Sequence, residues 1–140
     1  MPEFSTSRTL NDSSAAVWET IRDFGGIGRY LPLAGCTLRG AGVGALRTLT
    51  TLDGAVLVER LEHQDDRART LSYSITDSPL PFRNYVATMT LRELGPQRCE
   101  LLWSASYDPK GATEAEVDTL LAGVLAAAFE GLEKLHGGAH

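Results

Sequence analysis

With 140 residues, 43% of them hydrophobic and 22% charged, the chain has the size and make-up expected of one globular domain. Thirteen Lys and Arg against eighteen Asp and Glu leave a net charge of −5 and no basic cluster, which argues against a nucleic-acid partner. No window reaches the roughly 18 uninterrupted apolar residues of a membrane span, and Met1 to Leu10 lacks the apolar run of a secretion signal, so a cytoplasmic location is expected. Cys36 and Cys99 read as free thiols, and with scattered His63, His136 and His140 they form no metal-ligand pattern; neither metal nor cofactor is expected.

Phe4 to Leu10 predicts a short strand, closed by the turn-forming and capping run Asn11-Asp12-Ser13-Ser14. Val17, Trp18, Ile21 and Phe24 then recur at helical spacing, and Gly25-Gly26 is expected to stop that helix. A short second helix is expected over Ile27 to Tyr30, broken by Pro32. Five segments then alternate with period two: Ala45 to Thr51, Ala55 to His63, Arg69 to Thr76, Asn84 to Leu94 and Cys99 to Tyr107. One apolar and one polar face, joined by short turns, predict an antiparallel sheet with a single wet side, to which Cys36 to Arg39 adds a short strand. Thr113 and Glu116 form a capping box after Pro109-Lys110-Gly111, and Val117, Leu120, Leu121, Val124, Ala128, Leu132 and Leu135 repeat at helical spacing up to Gly137-Gly138. The predicted class is α+β, a curved antiparallel sheet of about six to seven strands around a long C-terminal helix, with one or two short helices after the first strand. The histidines and the Asp65-Asp66 turn are expected to be solvated, and Trp18 and Trp103 to be core.

Two features bear on what lies between sheet and helix. Gly123, Ala127 and Gly131 make a stripe without bulk along the long helix, which either packs closely on the sheet or leaves room for a ligand. Glu59 shares its strand face with Leu57 and Leu61, and a carboxylate there needs a partner, water or a raised pKa. A three-residue loop, Leu52-Asp53-Gly54 with Gly54 left-handed, sets Arg47 directly across from Glu59. A two-residue Asp53-Gly54 turn would set Arg47 against Arg60, so the longer loop is expected. A structural ion pair and a role in a cavity are both open to this pair.

Read together, Ala16-Val17-Trp18 with Asp23-Phe24, Gly35-Cys36, Val43-Gly44-Ala45-Leu46-Arg47, Glu59-Arg60-Leu61, Leu71-Ser72-Tyr73-Ser74-Ile75, Asn84-Tyr85 and the ending Gly131-Leu132-Glu133-Lys134-Leu135 carry a resemblance over nearly the whole chain. Their order and spacing resemble the START-like helix-grip superfamily (SRPBCC), in its bacterial polyketide cyclase/dehydrase-like branch, which implies one such domain over residues 1–140. The same segments are similar to those of plant abscisic acid receptors. That resemblance implies a cavity lined by Arg47, Leu49, Glu59, Tyr73, Ile75, Tyr85 and Ala87, with the helix stripe at Gly123 and Ala127. It sets Tyr30 where those receptors carry a carboxylate-binding lysine, Leu52-Asp53-Gly54 in place of a longer gate loop, and Leu80-Pro81-Phe82 in place of their latch. Tyr30, Leu80 and Phe82 therefore join Leu57 and Trp103 among the candidate ligand contacts.

Three functions compete. The first is a binding module that holds a hydrophobic small molecule (lipid, polyketide or aromatic metabolite) with few polar contacts. The second is a cyclase or dehydratase with Glu59 as general base, Arg47 stabilising an oxyanion and Tyr85 donating a proton. The third is a domain whose interior is filled by Trp103, Met89 and Tyr73 and whose outer surface meets a protein. A homodimer is compatible with all three.

Overall fold

The computed structural model describes residues 2–137. The period-two segments become a seven-stranded antiparallel sheet of β1 (Glu3–Leu10), β2 (Gly35–Arg39), β3 (Leu46–Thr50), β4 (Val56–Asp65), β5 (Thr70–Asp77), β6 (Phe82–Gly95) and β7 (Arg98–Pro109). Their spatial order is β1-β7-β6-β5-β4-β3-β2, so consecutive strands are neighbours except where β1 closes against β7. Buried positions alternate along β6 and β7, with Tyr85, Ala87, Met89, Leu101, Trp103 and Ala105 inward. Outward, hydroxyls pair across strands, Thr70 with Thr90 at 2.9 Å and Ser72 with Thr88 at 3.1 Å.

Bulges curve the sheet. Opposite Val58 and Glu59, β5 carries one extra residue, Thr76, whose hydroxyl donates to the Val58 carbonyl at 3.2 Å. Between Arg83 and Val86, β6 gains a residue against β7, and Asn84 takes a left-handed φ of 55°. Asn84 meets that conformation at modest cost and ties itself to Asp108 through its side-chain amide at 2.8 Å. The irregularity turns both Phe82 and Tyr85 inward, which strict alternation forbids.

Against the concave face lies α2, Glu114–His136, 23 residues and about 34 Å long. Its predicted capping box is formed, with Thr113 Oγ1 accepting from the Glu116 N–H at 3.1 Å and Glu116 accepting from the Thr113 N–H at 3.0 Å. The first helix, α1, spans Ser14–Arg22, capped by Ser13 through the Ala16 N–H at 3.1 Å. The expected stop at Gly25-Gly26 and the expected helix at Ile27 to Tyr30 are both corrected. A six-residue 3-10 helix runs through them, Phe24–Arg29, because the chain tightens rather than ends after Asp23.

At one end the interior is packed solid by Leu10, Val17, Ile21, Leu71, Leu101 and Leu132, with Trp103 edge-on to Phe129 at 5.9 Å. One expected surface group, His136, is built in, while Asp66 stays exposed as expected but is bonded to α1. His136 bridges Asp12 at 2.7 Å and Thr20 at 2.8 Å and pins the end of α2 to the β1–α1 turn. Asp66 accepts from the Trp18 indole N–H at 2.9 Å and pairs with Arg22. His63 is exposed, and His140 lies outside the described residues.

The His136 hydrogen bond, helped by the Ser13 N–H, holds the Asp12 carboxyl below the usual carboxylate range. A depressed native value means that the unfolded chain binds the proton first. The contribution is therefore fully present above the ordinary aspartate value of about 4 and is lost as pH falls through the depressed one. Asp12→Asn is expected to flatten the acid side of the stability profile, read from urea unfolding at a series of pH values. An unchanged slope below pH 4 would show that the contact carries no linkage.

Candidate functional site

The β3–β4 hairpin places the site's charges. Thr51 N–H donates to the Ala55 carbonyl at 2.8 Å around the Leu52-Asp53-Gly54 loop, and Gly54 has a φ of 91°, open to glycine at little cost. In this register Arg47 faces Glu59, as the like-charge argument requires. Both side chains are buried, and Arg47 Nε and Nη2 reach Glu59 Oε1 at 2.8 and 2.7 Å. The remaining guanidinium nitrogen, Nη1, donates to the Phe24 carbonyl at 3.0 Å. The cation is also sandwiched over the rings of Phe24 and Tyr73, at 3.9 and 4.8 Å, and contacts the Tyr30 hydroxyl. Burial pulls its pKa down, but Glu59 together with Tyr30 and Tyr73 outweighs this and the net shift is upward.

Beside this pair the interior is hollow. A cavity of about 260 Å³ lies between the sheet and α2, largely apolar in its walls. Expected residues Leu49, Leu57, Tyr73 and Ile75 line it from β3 to β5, and Leu80, Phe82, Tyr85 and Trp103 from the β5–β6 loop and beyond. Glu59 lines it as well, at the polar end. The Trp103 indole N–H donates to the Tyr73 hydroxyl at 3.2 Å, and the Tyr73 ring is tilted against Tyr85 at 6.4 Å, which stacks on Phe82 at 4.9 Å. Burial, above all, raises the pKa of both phenols, so each stays protonated near neutrality.

Five expected contacts lie elsewhere. Arg47 and Tyr30 sit behind Glu59 rather than on the wall, because the guanidinium is drawn to the Phe24 carbonyl and the Tyr30 hydroxyl. Ala87 is buried under larger neighbours. Gly123 and Ala127 face an outer groove beside Leu31, Pro32 and Leu52, and a Cβ on Gly123 would touch nothing within 4 Å. At the end of the same stripe Gly131 packs on the Tyr30 backbone, so close packing holds there and the ligand-facing reading of the stripe is corrected.

The helix wall of the cavity is instead Leu120, Leu121, Val124, Leu125 and Ala128, one step around α2 from the stripe. The helical repeat already contained Leu120, Leu121, Val124 and Ala128 as apolar positions, but it did not separate cavity from core. Ile27, Leu31 and Leu33, on the 3-10 helix and the loop after it, also line the hollow, and no sequence periodicity marks Leu31 and Leu33. The rim is formed by half-exposed Leu33 and Leu80, exposed Asp53 and exposed Val124. Among the described residues no cluster of three metal-ligating side chains occurs and no helix is long and apolar enough to cross a membrane.

Solved structures repeat this architecture. XoxI of Bacillus cereus is 28% identical with a TM-score of 0.90, the match covering 97% of this chain and 96% of that one. An uncharacterised protein of Bacillus thuringiensis is 27% identical with a TM-score of 0.89, over 96% and 98% of the two chains. A protein of Thermobifida fusca is 31% identical with a TM-score of 0.83, over 100% and 99%. The family model described as polyketide cyclase / dehydrase and lipid transport matches residues 1–137. With its seven-stranded sheet gripping α2, the chain belongs to that family.

Proposed function

We propose that the protein binds a hydrophobic small molecule, such as a lipid, polyketide or aromatic metabolite, in the cavity between sheet and α2. The observation that carries this reading is the hollow itself. Interiors are ordinarily close-packed, yet here about 260 Å³ between sheet and helix is left unfilled by side chains. A core kept that empty is supported by what enters it. The volume lies near the lower end of the usual range of about 300–1,000 Å³, so it suits a compact apolar molecule. The enzyme alternative is less well supported, since Arg47 is not on the cavity wall and its guanidinium is engaged by Glu59 and the Phe24 carbonyl.

Native mass spectrometry of the purified protein is expected to show a co-purified adduct, and the neutral probe Nile red to bind saturably. Ala128→Leu, which puts bulk into the cavity from α2, is expected to lower Nile red affinity at least tenfold. Gly123→Leu, on the outer groove, is expected to leave it within about twofold. Absence of both an adduct and saturable probe binding would overturn the reading, as would equal effects of the two substitutions.

A further inference from the structure

Glu59 is 95% buried by its 5% exposure, and both of its contacts with Arg47 fall on Oε1. Oε2 enters none of the hydrogen bonds of the described residues. Yet no fully buried side-chain oxygen or nitrogen among them lacks a partner. Oε2 is therefore open to the cavity that Glu59 lines. The rest of the wall reinforces the asymmetry. Its carboxylates are Glu59 inside and Asp53 at the rim, its phenols Tyr73 and Tyr85 are neutral, and it carries no Lys, Arg or His.

We infer that the cavity selects a neutral apolar molecule bearing a hydroxyl, which enters hydroxyl first and donates its proton to Glu59 Oε2, and that it rejects carboxylates of the same size. This rests on the cavity being the ligand site and adds the polarity of what fills it. Arg47 pairs with the carboxylate through Oε1 and fixes it from behind, so the wall presents a standing acceptor. A ligand that covers Oε2 without donating to it strands a buried charge, and an anionic ligand adds repulsion from the same oxygen and from Asp53. A cationic ligand gains little, because Arg47 already supplies the counter-charge. Glu59 is thus a specificity-determining residue, set by Arg47 as its positioning residue.

The test uses three probes of matched length: 1-decanol, its methyl-ether isomer 1-methoxynonane, and decanoate. Affinities are read by calorimetry and by the emission of Trp103, which lines the cavity. In the wild-type protein decanol is expected to bind at least tenfold more tightly than the ether, and decanoate more weakly than either. A Glu59→Gln variant risks misfolding around an unpaired Arg47, so the decisive variant is the double replacement Arg47→Leu with Glu59→Leu, which removes both charges together. There the preference for alcohol over ether is expected to collapse to within about twofold. Ether or decanoate binding as tightly as decanol, or a preference that survives the double replacement, would overturn the inference while leaving the cavity reading intact. If none of the three probes binds and Nile red also fails, it is the cavity reading that falls.

Discussion

Arg47→Leu, with Glu59 left in place, is expected to destabilise the protein by about 3–5 kcal/mol, the characteristic cost of breaking a buried ion pair from one side. The cause is on the inner face of the hairpin. Glu59 loses its hydrogen bond from Nε and its ion pair with Nη2, while the Phe24 carbonyl loses its donor. The rings of Phe24 and Tyr73 also lose the cation they enclose. For a domain of this size the loss corresponds to a fall in Tm of roughly 10 °C or more. The double replacement by leucine is expected to recover most of it, because two apolar side chains in that space leave no charge unmatched. Urea unfolding of the wild type, the single and the double variant measures this directly. A single substitution costing under about 1 kcal/mol would show that the pair is screened, and a double as unstable as the single would show that volume, not charge, decides.

The pairing of Arg47 with Glu59 was legible in the sequence because two local rules converged. Loop length fixes hairpin register, and the shorter loop would have opposed two arginines. Alternation likewise exposed the inward set of β5 to β7, and the T-x-x-E box the start of α2. What stayed hidden depends on contacts distant in sequence. Period two cannot send both Phe82 and Tyr85 inward; the bulge at Asn84 does, and it is a matter of register against β7, where the Asn84 amide meets Asp108, rather than of any turn signature. The rotation of α2 about its own axis was hidden for the same reason. Apolar residues cover more than half of that helix, so its periodicity names candidates for burial without saying which of them meets the hollow. His136 looked like a surface residue because both of its partners, Asp12 and Thr20, lie more than a hundred positions away.

What fixes that rotation is a single close approach, and it yields the second large effect. Gly131→Ala is expected to cost about 3 kcal/mol, at the upper end of the range for overpacking. A Cβ at this position would stand 2.6 Å from the Tyr30 carbonyl carbon and closer still to its oxygen. The obstacle is backbone, at the end of the 3-10 helix, so no side-chain rotation relieves it and the helix and the segment must part. Parting them also loosens Tyr30 against Arg47, so the effect reaches the polar end of the cavity and is expected to weaken Nile red binding too. Gly123→Ala, two turns earlier on the same stripe, meets nothing within 4 Å and is expected to stabilise the protein by about 0.5–1 kcal/mol through helix propensity alone. Opposite signs for one chemical change, two turns apart on one helix, would identify the Gly131–Tyr30 contact as the register pin of α2. Equal signs in parallel thermal melts would place that pin elsewhere.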